Sequence, residues 1–183
     1  MSGDLVLESV LLLKLLGDVE ERYSGLAVAI MSEDVPEDYL ALVRKYSRDV
    51  VPCLELGDTE LACVKLPRGL EGLRIDLLAV PVTLDDLLEC FLCNLVYRYE
   101  VREVRTYAEL QNLRVFAPLY RVPRVDLVAY AFLVGILNEV SYGRAGKCSD
   151  TIGKLVSTIS IKHPELLFRF LHGVSPGRGK EPL

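Results

Sequence analysis

Arg144 and Lys147, within the run Gly143 to Cys148 (GRAGKC), stand just ahead of a stretch with helical character, where free backbone amides can hold an anion. The chemistry such a loop would do is phosphate capture. It is not a P-loop, because Gly143 and Gly146 enclose two residues where that motif needs four, and Cys148 follows Lys147 where it needs a hydroxyl. Asp150 adds a competing negative charge at the helix start. A glycine turn before an ordinarily capped helix accounts for the same residues.

Five cysteines raise the question of a metal. Cys90 and Cys93 form a C-x-x-C pair, but inside a helical pattern, and Cys53 and Cys63, with nine residues between them, lack the tight knuckle of a zinc ribbon. Buried thiols are the expected state, ahead of a metal and ahead of disulfides, and no cofactor or metal is expected. Cys148, on a basic loop, is the thiol whose anion would be favoured.

Nucleophilic catalysis has little to draw on. The two histidines, His163 before a proline and His172 at a helix end, have no visible base or orienting partner. A metal-dependent nuclease or phosphoesterase could use Asp58, Glu60, Asp76 and Lys65, with residues 143–150 as its anion site, although acids between strands are commonly turn residues. That enzyme is the alternative reading.

The stronger pattern is basic and aromatic. Arg98, Arg102, Arg105, Arg114, Arg121 and Arg124 interleave with Tyr97, Tyr99, Tyr107, Phe116 and Tyr120, and Arg144, Lys147, Lys154 and Lys162 follow. Arginine with tyrosine suits phosphate contact and base stacking, and suits a protein interface equally well. Glu100, Glu103 and Glu109 run alongside and could neutralise the first arginines. The net charge of -5 is sorted along the chain: -8 over residues 1–60, -2 over 61–100 and +5 over 101–183. Such a chain can pair its own halves, assemble with a partner, or offer a basic face to a polyanion.

The elements that must position these residues follow from pattern. With 51% hydrophobic and 26% charged residues in a chain of 183, global disorder is excluded and one compact domain over 1–173 is expected. The N-terminal apolar run is broken by Glu8 and Lys14 and has no basic flank, which argues against a signal peptide and for a cytoplasmic protein. Three asparagines, nine tyrosines and no tryptophan fit a thermophile. Leu5 to Leu16 predicts a helix ended by Gly17, with Glu8 and Lys14 on its polar side. Leu26 to Met31, Pro36 to Ser47 and Val50 to Leu56 read as strand, helix, strand. Gly57-Asp58 then predicts a hairpin into Glu60 to Leu66, and Leu73 to Val80 adds another strand. Thr83 is the expected N-cap of a helix over 84–99, with Asp85 and Asp86 in its first turn. Residues 101–104 and 113–116 read as strands around a short helix TYAELQN. Val125 to Tyr142, whose only charges are Asp126 and Glu139, predicts a buried central helix over about 125–141. It is too short to cross a bilayer, which takes roughly 20 apolar residues. Helices from Ser149 or Asp150 to Ile161 and from Pro164 through Leu171 complete a C-terminal cluster, and 174–183 is the expected tail.

The fold class is therefore α+β: a small mixed sheet, sheet-rich over about 25–81, joined to a helix-rich part over 83–173. The functional expectation is a non-enzymatic accessory subunit, docking to a protein partner or a second copy, with DNA or RNA as a further contact and no membrane. The contact residues expected are Arg102, Arg105, Arg114, Arg121, Arg124, Arg144, Lys147 and Lys154.

Overall fold

The structure, a computed structural model, describes residues 6–32, 37–53, 56–68, 75–101, 104–110, 113–138 and 148–174. It is α+β, and both its helices and its strands contribute buried core residues. Helix α1 (Val6–Tyr23) leads to strand β1 (Val28–Ser32), helix α2 (Glu37–Tyr46) and strand β2 (Asp49–Cys53). β1 and β2 pair in parallel across the α2 crossover, the expected βαβ opening. α1 does not stop at Gly17. It continues because Lys14 reaches Asp18 one turn on, at 2.8 Å, and Gly17 is a contact point: a side chain there would stand 3.1 Å from the Tyr46 carbonyl at the end of α2.

The expected single sheet is three small ones. β3 (Leu56–Leu61) and β4 (Val64–Pro67) form a hairpin of their own, and Gly57-Asp58 lies inside β3. The turn is at Ala62-Cys63, with φ of 49° and 61°. Two successive positive φ values match the twist of a two-residue hairpin, but Ala and Cys are poor sequence signals for it, so glycine misdirected the assignment. β5 (Leu77–Ala79), β6 (Tyr107–Leu110) and β7 (Leu113–Phe116) make a sheet in the order β5-β7-β6, parallel then antiparallel. TYAELQN thus supplies a strand where a helix was expected, since its alternating Tyr107 and Glu109 are exposed while Ala108 packs inward.

Helix α3 (Leu84–Tyr97) is the organising element, and the stretch after Val125 is not. Every residue from Leu84 to Cys90 is buried. Leu87 joins the core formed by the β3–β4 hairpin, Val82 and Val115, whereas Leu84, Leu88 and Cys93 pack on Ile152 and Val156 of helix α5 (Asp150–Lys162) and on Leu167 of helix α6 (Pro164–Val174). Helix α4 (Arg124–Leu133) packs Leu127 and Ala131 against Leu7, Val10 and Leu11 of α1. The predicted buried helix over 125–141 is shorter and one-sided: Phe132 and Leu133 are 69% and 80% exposed, Gly135 turns the chain at φ 78°, and a 3-10 turn follows at Ile136–Asn138. No helix among the described residues is long and apolar enough to cross a membrane.

Candidate functional site

The two ends of α3 each gather polar or reactive side chains. At the N-terminal end, Thr83 caps the helix in a capping box: its Oγ1 accepts from Asp86 N at 3.3 Å, while its own backbone N–H donates to Asp86 Oδ2 at 2.8 Å. Asp85, buried beside it, reaches another helix. Pro123 is the N-cap of α4 and makes no side-chain cap, so Arg124 N donates instead to Asp85 Oδ2, at 2.6 Å and 39 residues away. One carboxylate of α3 thereby satisfies an open amide of α4.

Arg124 does not belong to a basic face. It is 6% exposed, and its Nε is in ionic contact with Glu8 Oε1 of α1, itself fully buried. Burial pushes the Glu8 carboxyl above the usual glutamate range, and the neighbouring guanidinium opposes that rise. The residue expected on the polar side of α1 and the residue expected to touch a polyanion are each other's counterions. Sequence spacing could not have paired them, because they lie on different helices.

The other expected contact residues separate into groups. Arg102, Arg144 and Lys147 lie outside the described residues. Arg105, Arg114, Arg121 and Lys154 are exposed. Arg114 is on β7, in register with Glu109 of β6 and Leu77 of β5; Arg121 lies 5.1 Å over the Tyr120 ring; Lys154 is on α5. The α5 N-terminus is capped by its own Ser149, which accepts from Thr151 N at 3.2 Å. Of the carboxylates suggested for an enzyme, the Asp58 side chain is outside the described set, Asp76 is exposed, and Glu60 lines the cavity described next.

Toward its C-terminal end, α3 turns Cys90, Cys93 and Asn94 into a cavity of about 560 Å³. The expectation of free thiols is corrected there. Cys63, from the hairpin turn, is disulfide-bonded to Cys90, and Cys148, just before α5, to Cys93, with Cα–Cα distances of 5.7 and 6.2 Å. The i, i+3 spacing that makes a poor zinc knuckle puts both helix sulfurs on one face, where each meets a different incoming segment. Asn94 Nδ2 points at Cys90 Sγ and Cys63 Sγ, at 3.7 and 3.9 Å. Lys65, Arg98 and Glu60 line the cavity too. With these sulfurs bonded in pairs, no group of three or more histidine, cysteine, aspartate or glutamate side chains among the described residues is arranged to hold a metal ion. Reasoning along the chain weighed only Cys53 and Cys63 with the C-x-x-C pair and did not consider Cys148 as a partner, 55 residues beyond Cys93. No known family model matches the chain, and no curated protein matches it.

Proposed function

We propose that the chain is a non-enzymatic accessory subunit that docks to a protein partner, with nucleic acid as a further contact. The observation that carries this reading is the outer face of the β5-β7-β6 sheet. Register puts Leu77, Arg114 and Glu109 side by side on one face, with Tyr107 two residues along on β6. On the same face Ala79 packs against the core between α1 and α4 and Phe116 is half-buried, so the open part is the one carrying Leu77, Arg114, Glu109 and Tyr107. Val115 and Ala108, pointing the other way, belong to the core. Leu77 and Tyr107 are each 45% exposed, so aromatic, aliphatic and arginine side chains share one open surface. That mixture is enriched in protein interfaces, and its rings and guanidinium could also stack on bases. Arg105, at the entry to β6, extends the basic character.

The compartment we infer is the cytoplasm of a thermophile. Intracellular disulfides are ordinary in hyperthermophiles and rare in other cytosols, so the paired cysteines fit a cytoplasmic location only together with the thermophile reading.

The test is purification from the native cell with the partner attached, compared with an Arg114→Glu, Tyr107→Ser double variant. The variant is expected to lose the partner while keeping its circular dichroism. Fluorescence anisotropy with DNA and RNA over a salt series measures the second contact, where affinity should fall as salt rises. A native chain with no stable partner and no salt-sensitive binding overturns the proposal.

A further inference from the structure

We infer that Cys63, Cys90, Cys93 and Cys148 form, when reduced, a tetrathiolate site for one Zn²⁺, and that the two disulfides are its oxidised, metal-released form. The inference is independent of the docking surface. It starts from an economy of placement: two cross-links meant only to staple the chain have no reason to meet, yet four sulfurs from three distant segments line one cavity. The C-x-x-C pair of α3 is the point where they cross.

The chemistry of the donors selects the ion. Four cysteine sulfurs are a soft set, suited to zinc and unsuited to Mg²⁺ or Ca²⁺. Around a tetrahedral zinc with bonds of about 2.3 Å, neighbouring sulfurs stand about 3.8 Å apart. Pairs whose Cα atoms are 5.7 and 6.2 Å apart reach that separation by side-chain rotation once the S–S bond is gone. Asn94 is already aimed at two of the sulfurs and would donate to the thiolates, the kind of outer-shell support that metal ligands require. Lys65 and Arg98 line the same cavity and would offset the excess negative charge of a zinc tetrathiolate, to which Glu60 on the same lining adds one more. The balance is simple. Two equivalents of a dithiol reductant pass four electrons and four protons to the two S–S bonds and become disulfides; the four thiols then lose their protons to solvent as Zn²⁺ binds.

The experiment uses the full chain, reduced and freed of reductant without air, and titrated with Co²⁺ as a coloured substitute for Zn²⁺. One equivalent per chain should give intense sulfur-to-cobalt absorption and a tetrahedral visible band, both erased by one equivalent of Zn²⁺. Cys93→Ser should abolish the tetrathiolate band, Cys53→Ser should keep it, and Asn94→Ala should weaken affinity about 10- to 100-fold. Oxidation with two equivalents of a small-molecule disulfide, each taking up two electrons and leaving as two thiols, should release the metal and regenerate the Cys63–Cys90 and Cys93–Cys148 cross-linked peptides. A reduced chain that keeps its native circular dichroism and takes up neither ion overturns the inference. If reduction instead unfolds the chain, Zn²⁺ must restore the fold, and failure to do so overturns it equally, as does undiminished uptake by Cys93→Ser.

Discussion

The two ends of α3 handle polar chemistry in opposite ways. At the N-terminal end, charged groups are sealed: Glu8, Asp85 and Arg124 are each 6% exposed or less, and Arg124 joins three helices by a backbone donor and a guanidinium. Toward the other end, the helix opens. Cys93 and Asn94 are buried, but Leu95, Val96 and Tyr97 are exposed and the cysteines border a cavity. What differs is how much water each end must exclude. A buried ion pair holds only while both partners are present, because losing one leaves an uncompensated charge in low dielectric. A covalent cross-link tolerates solvent, since its strength does not depend on desolvation.

Three measurements would sharpen or break that contrast. Arg124→Ala should show the largest effect, about 3 to 5 kcal/mol lost in denaturant unfolding, because Glu8 is then buried without its partner, while the backbone N–H at position 124 still serves Asp85. Glu8→Leu with Arg124→Met should recover most of that loss; equal damage from both variants would show that the site is held by packing and not by charge. Removing one disulfide comes next. Cys93→Ala or Cys148→Ala, which opens a loop of 55 residues, should cost about 2 to 4 kcal/mol under oxidising conditions, with Cys63→Ala or Cys90→Ala at the lower side of that range for the 27-residue loop. The smallest effect is a slope. Between the ordinary glutamate value of 4.5 and the raised value of Glu8, the unfolded chain gives up a proton that the folded chain keeps. This group's contribution is therefore complete below the unfolded value and is lost as pH rises through the folded one. Glu8→Gln should flatten the fall in stability over that window, and an unchanged slope would remove Glu8 as its source.

Local signals were legible where one segment satisfies itself. Thr83 with Asp85 and Asp86 in the following turn announces a helix start, Ser149 before Asp150 announces another, and the β1–α2–β2 crossover follows from two short apolar runs around an amphipathic stretch. The exposed arginines Arg105, Arg114 and Arg121 were also readable as surface residues. Failures came where a segment is completed by another. Gly17 resembles a helix stop until the Tyr46 carbonyl lies against it, and Val125 to Tyr142 resembles a core helix until Phe132 and Leu133 find no cover among the described residues.

The amino-acid order alone determined the α+β class, the helix caps and the sorting of acid toward one terminus and base toward the other, because propensity, capping and charge act over a few residues. Which acid meets which base, and which cysteine meets which, was decided only when three helices and a hairpin closed on α3. Glu8 and Arg124, or Cys93 and Cys148, are distant in the chain, and nothing short of the packed core brings such pairs within bonding reach.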